Sequence, residues 1–291
     1  MIIHKPVLLK EVLDGLEVKE NGSYIDCTAG EGGHSEAILQ KNGPSGKLLA
    51  VDWDSNQAKK CRERLEKFGE RALVVNASYA NLKDIIEKEN FGQADGILAD
   101  LGFSSAQLEN ERGFSFLKDE PLDMRYGNGE LTAKEIINNW PEEEIEKILR
   151  EYGEEKFSKK IAKKICEERQ AKGRIEKTGE LFKIIEEAVS KNFQHGRIHC
   201  ATRTFQALRI AVNGELDNLE KVLPQMAEAL CSGGRIAIIS FHSLEDRIAK
   251  EFIKNNKSLK IVTKHPVTAT EQEIKENPRS RSAKLRVAQK I

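Results

Sequence analysis

Short apolar runs recur through the first third of the chain, each bounded by polar or glycine-rich stretches: Tyr24, Ile25 and Cys27; Leu48 to Val51; Ala72 to Val75; and Ile97 to Ala99, within a fourth strand from Asp95 to Leu101. Runs of this length read as buried strands. Between them the apolar positions fall at helical spacing. Val7, Leu8, Val12 and Leu13 predict an amphipathic helix over His4 to Leu16, a lid leaning on the first strand. Glu36 to Asn42 continues a helix that Gly43-Pro44-Ser45-Gly46 ends, and further helices run from Ala58 to Phe68 and through Leu82, Ile85 and Ile86. Strand, helix, strand, helix is the rhythm of a parallel sheet covered on both faces.

That rhythm stops near Glu111. From there to Arg203 strand signals are almost absent, and Thr132 to Lys191 reads as helices through Ile136-Ile137, Ile145-Ile148-Leu149, Ile161-Ile165 and Leu181-Ile184-Ile185. The sheet pattern then returns. Phe205 to Val212 and Leu216 to Leu230 read as helices, Arg235 to Ser240 as a strand, Ile248 to Ile253 as a helix, and Leu259 to Thr263 with Leu285 to Ala288 as a terminal strand pair. The expected organisation is an α/β, Rossmann-like sheet domain in two pieces, residues 1–110 and 204–291, around an inserted helical domain at 111–203.

Candidate chemistry gathers where the first strand ends. Ser23 to Ser35 reads S-Y-I-D-C-T-A-G-E-G-G-H-S, so Gly30, Gly32 and Gly33 crowd the turn before a helix that begins near His34. Glycine lets backbone approach a ligand, and a helix start offers unpaired N–H groups and a positive dipole end. A dinucleotide fingerprint from Gly30 would need glycine at position 35, where Ser35 stands, and no Gly-Lys-Ser or Gly-Lys-Thr forms a P-loop. What remains is Asp26, the turn, and Asp52 closing the next strand, where an acid accepts ribose hydroxyls in doubly wound sheets. That combination predicts an adenosyl cofactor.

Composition narrows the setting. The 291 residues carry 47 basic and 47 acidic side chains, which excludes a uniformly basic or acidic protein and makes any nucleic-acid surface local. Two stretches supply such patches: Lys191 to Arg209, with Lys191, Arg197, Arg203 and Arg209 and no acid, and Lys275 to Lys290, with six basic residues against Glu276. Five cysteines, an odd number without a C-x-x-C pair, read as reduced thiols. The N-terminus lacks the apolar stretch of a signal peptide and no run approaches membrane-spanning length, so the expected location is the cytoplasm with no membrane partner.

Several stretches together resemble one family. They are H-x-P-V-L-L-x-E-V-L from His4, D-C-T-A-G-E-G-G-H-S from Asp26, D-G-I-L-A-D-L-G-F-S-S-x-Q-L from Asp95 and R-G-F-S-F from Arg112. P-L-D-M-R from Pro121, A-T-R-T-F-Q-A-L-R-I from Ala201, S-F-H-S-L-E-D-R from Ser240 and N-P-R-S-R-S from Asn277 continue the series. In these runs, spread over nearly the whole chain, the sequence resembles the bacterial 16S ribosomal RNA (cytosine-N4)-methyltransferases. The resemblance implies a methyltransferase sheet with an inserted domain for RNA recognition, S-adenosyl-L-methionine as cofactor, and 16S rRNA within the small ribosomal subunit as partner. By the same resemblance Gly32, Gly33 and His34 meet the cofactor's methionine end, Asp52 takes the ribose, Tyr79 lies beside the adenine, and Asp100 and Gln107 complete the contacts.

A cytosine amino group is a poor nucleophile because its lone pair is delocalised into the ring, so an acceptor for its hydrogens would favour attack. Asp100, in the loop Asp100-Leu101-Gly102-Phe103, is the expected acceptor between cofactor and base. Asp123 and His242 are further candidates, each with a structural alternative: Asp123 pairing with Arg125, His242 capping the helix that follows. Two other readings stay open, a methyltransferase for another amine in DNA or protein and a non-enzymatic nucleic-acid-binding protein that retains the fold. No metal site is predicted, and a homodimer is left open.

Overall fold

The computed structural model describes residues 5–102, 111–127, 129–189 and 199–291. They fall into two compact units, one drawn from residues 1–103 and 216–291, the other from residues 104–215. The first unit holds seven strands: β1 (Ser23–Asp26), β2 (Lys47–Asp52), β3 (Ala72–Asn76), β4 (Ala94–Asp100), β5 (Leu230–Ser240), β6 (Leu259–Ile261) and β7 (Lys284–Lys290). Helices α1 (Leu9–Gly15), α2 (Gly33–Lys41), α3 (Ser55–Leu65) and α4 (Leu82–Lys88) alternate with the early strands. Then α5 (Ala133–Asn139), α6 (Glu142–Glu151), α7 (Ser158–Lys172), α8 (Thr178–Ala188) and α9 (Cys200–Asn213) follow one another, and α10 (Glu215–Ala229) and α11 (Ser243–Asn255) flank β5.

The strand order is β3-β2-β1-β4-β5-β7-β6, with the first five strands parallel and β7 antiparallel between β5 and β6. The terminal strand pair expected from the sequence forms, and β7 also joins the main sheet, with Arg235 opposite Gln289 and Ser240 opposite Lys284. Alternation along the strands explains the two cores. Ile25, Leu49, Val51, Ile97, Ile236 and Ile238 point to one face, where they meet Leu82 and Ile85 of α4, Val222 and Met226 of α10, and Ile253 of α11. Tyr24, Leu48, Ala50, Leu98, Ala237 and Ile239 point to the other, against Val12 of α1, Ile38 and Leu39 of α2, and Leu65 of α3. A strand buried on both faces must be apolar throughout, as Leu48 to Val51 are.

The first helix departs from its expected role. Val12 and Leu16 are buried, and an added Cβ on Gly15 would meet Val287 Cγ2 at 2.9 Å, so α1 is a packed layer element rather than a lid.

In the second unit α5 to α9 share one core, including Ile136, Ile145, Leu149, Ile161, Ile165, Leu181 and Ile185. Thr132 and Glu135 form a reciprocal capping box at the start of α5, which fixes where that helix begins. Phe205 and Leu208 of α9 belong to this same core. The boundary expected at 203/204 therefore cuts through α9, and the helical unit continues to Glu215.

Candidate active site

From β1 the chain proceeds to β2 and β3 on one side of the sheet; from β4 it goes on to β5 on the other. The connections part above the carboxyl ends of β1 and β4, the crevice in which open α/β sheets hold their ligands. Three acids close strands here: Asp26 ends β1, Asp52 ends β2 and Asp100 ends β4.

The glycine turn is built as its composition requires. Gly30 and Gly32 have φ of 54° and 81°, the left-handed region that favours glycine. An added Cβ on Gly30 would meet nothing within 4 Å, whereas one on Gly33 would lie 2.5 Å from Pro6 Cγ. Gly33 is thus demanded by the packing of the N-terminal segment. Its amide, with those of His34 and Ser35, precedes the first bond of α2, in which Glu36 N donates to Gly32 O at 2.9 Å.

Beneath the turn Asp26 is fully buried and accepts from Ser35 Oγ at 2.7 Å and Thr28 N at 3.2 Å. Burial pushes its carboxyl above the usual range, opposed by His34 and by these bonds. Thr28 Oγ1 in turn accepts from the Asp100 amide at 2.6 Å, which ties the end of β1 to the end of β4. His34 Nε2 lies 3.6 Å from Asp100 Oδ2. Neither His34 ring nitrogen nor Asp100 Oδ1 has a hydrogen-bond partner among the described residues, although all three atoms are buried.

Asp52 accepts from Gly30 N on Oδ2 and from Asp54 N on Oδ1, each at 2.8 Å. One N–H per oxygen leaves lone pairs for two hydroxyl donors. Burial raises the carboxyl from its ordinary 3.8 to about 7, against the pull of those two amides. Asn76, opposite Asp52 on β3, donates to the backbone carbonyls of Asp52 and Trp53, and Tyr79 follows in a short turn capped by Ser78. The Tyr79 ring is half-buried against the core of this face.

The remaining predicted residues occupy other settings. Gln107 and Phe103 lie outside the described residues. Asp123, in the helical unit, is held by Arg125 through Nε at 2.6 Å and Nη2 at 2.9 Å, and this guanidinium outweighs burial to hold the carboxyl below its usual range. His242 caps α11: its Nδ1 accepts from Glu245 N at 3.4 Å, and its Nε2 sits 3.0 Å from Glu245 Oε1 without hydrogen-bond alignment. Phe241 beside it crowds Gly102, where an added Cβ would meet the ring at 2.6 Å.

Three of the six basic residues in the C-terminal stretch are engaged within the protein. Arg286 makes two bonds to Asp246, Lys284 lies 3.6 Å from the same carboxylate, and Lys290 donates to the carbonyls of Glu228 and Leu230. In the other basic stretch Arg209 forks onto Glu215 and Arg203 donates to Glu154 O; residues 190–198 lie outside the described set. Thr28, Ser35 and Pro6 escape the sequence reading. Thr28 and Ser35 flank the glycines inside the recognised run, and that adjacency was their one signal.

A sheet of this order, with a strand-closing acid and a glycine turn at its reversal, defines the class as S-adenosylmethionine-dependent methyltransferase. Over residues 1–291 the chain matches the MraW methylase family, and it belongs to that family. It is similar to the protein named Ribosomal RNA small subunit methyltransferase H from Dehalococcoides mccartyi strain BAV1, 47% identical over 99% of this chain and 86% of the relative. The protein of the same name from Clostridium botulinum strain 657 is 46% identical, over 99% of each chain. A crystal structure described as a candidate rRNA methylase from Clostridium thermocellum shares the fold, with a TM-score of 0.50 at 12% identity, over 99% of this chain and 100% of that one.

The residues fit the cofactor of this class. Asp52 retains acceptor capacity, Gly30 borders open space, and buried polar atoms on His34 and Asp100 await a partner in the same crevice.

Proposed function

We propose that this methylase transfers the methyl group of S-adenosyl-L-methionine to the exocyclic N4 of a cytosine in 16S ribosomal RNA. The observation that carries this reading is the likeness, along 99% of the chain, to relatives named Ribosomal RNA small subunit methyltransferase H. Supporting it, Asp100 ends β4 with one carboxylate oxygen buried and unpaired among the described residues, a suitable acceptor for an amino hydrogen.

In this reading Asp52 holds the ribose hydroxyls, the turn at Gly32 and Gly33 with the His34 amide receives the methionine end, and the Tyr79 ring offers a face to the adenine. When bound, the cofactor supplies a methyl group on a sulfonium, already a strong electrophile. The protein's task is then alignment and proton handling. Asp100 accepts a hydrogen bond from the N4 amine, draws its lone pair away from the ring, and takes the proton released as the nitrogen–carbon bond forms. Thr28 fixes the Asp100 backbone for that role. Asp123 and His242 hold structural bonds in this scheme, through Arg125 and Glu245.

The target base must leave its stack to reach such a crevice, which favours an exposed nucleotide in the small ribosomal subunit over a duplex. No helix among the described residues is long and apolar enough to cross a membrane, and we place the reaction in the cytoplasm. The test uses purified protein, labelled S-adenosylmethionine and small subunits from a strain lacking the gene, followed by nucleoside analysis. Label in N4-methylcytidine is expected; label confined to protein, or to another nucleoside, overturns the proposal. Sedimentation of the same preparation distinguishes one copy from a homodimer.

A further inference from the structure

The first half of α7 is charged in a way that protein stability does not explain. Residues 156–164 read K-F-S-K-K-I-A-K-K, five lysines and no acid, in a chain whose total charge balances. Ile161, Ala162, Ile165 and Cys166 turn the opposite side of the helix into the core, while Lys156, Lys159, Lys160 and Lys163 are exposed. Lys159 and Lys163 are four residues apart and Lys160 and Lys163 three, so like charges neighbour one another along one ridge, an arrangement that destabilises a helix. The ridge also occupies the positive end of the helix dipole, and the first turn contains no acid.

The same unit shows that the opposite choice is available. α6 opens with Glu142, Glu143 and Glu144 and carries Arg150 in its last turn, which matches its dipole. Further along α7 the lysines are compensated: Lys163 faces Glu167, and Lys164 and Lys172 both reach Glu168. Lys156, Lys159 and Lys160 have no acid within ion-pair distance among the described residues. Glu155, the nearest acid in sequence, is buried and accepts from the Phe157 amide at 2.8 Å. Lys160 lies 5.9 Å from the Phe157 ring, which steadies its stem without neutralising it.

We infer that the ridge of Lys156, Lys159 and Lys160 is a docking surface for the phosphate backbone of the RNA substrate. Phosphates neutralise both unfavourable features at once, the crowding of ammonium groups and the exposed positive end of α7. Evenly spaced point charges on flexible stems read a backbone without reading bases, so the ridge supplies affinity and register while the base is chosen elsewhere. The inference rests on the rRNA reading above.

The test compares wild type with the triple variants K156Q/K159Q/K160Q and K156R/K159R/K160R. Binding to protein-free 16S rRNA and to small subunits from a strain lacking the gene is titrated between 50 and 200 mM salt. Removing three cations should flatten the slope of log affinity against log salt by about 2, taking roughly 0.7 per phosphate contact, so that the loss of affinity is roughly 20-fold larger at 50 mM than at 200 mM salt. The arginine variant should bind as wild type does. Cofactor affinity by calorimetry should be unchanged in both variants, and the glutamine variant should melt no lower than wild type, because it relieves repulsion.

A glutamine variant with the wild-type slope overturns the inference, as does one that binds whole subunits weakly but bare rRNA normally, which would assign the ridge to a ribosomal protein. Failure of the functional reading looks different: wild type itself would leave no N4-methylcytidine, whatever the salt dependence.

Discussion

His34 Nε2 stands 3.6 Å from Asp100 Oδ2, an imidazole and a carboxylate facing each other at the mouth of β4 without a hydrogen bond between them. The Asp100 backbone is fixed by Thr28, so the carboxylate has a set place and a free oxygen among the described residues. Asp100→Asn keeps the shape and loses the base. The expected result is a fall in single-turnover methyl transfer of about 10²- to 10³-fold, the range of a lost proton acceptor, with RNA affinity unchanged. A wild-type rate in Asp100→Ala, with cofactor and RNA bound normally, removes Asp100 from the chemistry.

If Asp52 holds the ribose as proposed, cofactor binding should depend on pH. Its carboxyl titrates near 3.8 when unfolded and at about 7 when folded. The folded protein therefore holds the extra proton between those values, and the stability this contributes is complete below pH 3.8 and lost as pH rises through 7. Ribose hydroxyls donate best to the ionised form, so affinity for S-adenosylhomocysteine should climb from pH 6 to 7 and level off above 8, with protons released on binding. Calorimetry in two buffers of different ionisation enthalpy measures that release. In Asp52→Asn both the release and the pH slope should vanish.

Gly33 and Pro6 form a steric pair, since a Cβ on Gly33 would meet Pro6 Cγ at 2.5 Å. Gly33→Ala should cost about 1–3 kcal/mol by overpacking. Pro6→Ala in the same chain should recover part of that loss in denaturant unfolding. Additive costs in the double variant would show that the contact is not the cause.

Arg286 and Asp246 pair at 2.7 Å with little exposure on either side, 12% and 15%. Arg286 and Lys284 outweigh burial to hold the Asp246 carboxyl below its ordinary value, so its contribution is present above that value and is lost as pH falls through the lower, folded one. Asp246→Ala strands a guanidinium and should destabilise by about 2–4 kcal/mol, and Arg286→Met should restore much of it. A variant pair no more stable than the single one would assign the loss to Asp246's other contacts.

The sheet was legible because each early strand is an unbroken apolar run and each helix repeats at its own period; Leu48 to Val51 and Ile136-Ile137 left no competing pattern. The place of Asp52 was legible because the apolar run Leu48 to Val51 ends on it, beside the glycine turn whose Gly30 amide it accepts. Thr28, Ser35 and Pro6 were not, since their roles consist of contacts to Asp100, Asp26 and Gly33 that no local pattern encodes. In the basic stretch near the C-terminus the inward bonds of Lys284, Arg286 and Lys290 are hidden for a related reason. Charge is visible in a sequence, but the partner that cancels it, Asp246 forty residues before Arg286, is not. Phe205 and Leu208 show a helical period that fits either neighbouring core, which is why the boundary fell early.

β4 and β5 lie side by side, Gly96 against Arg235 and Asp100 against Ile239, yet the whole helical unit is strung between them. Zipping that pair means closing a very long chain loop, an entropic toll that a random coil would meet in full. A helical unit that folds early gathers its own slack and shortens the search. Loosening the α6–α7 packing should therefore slow refolding of the methyltransferase half, even where the final structure is intact.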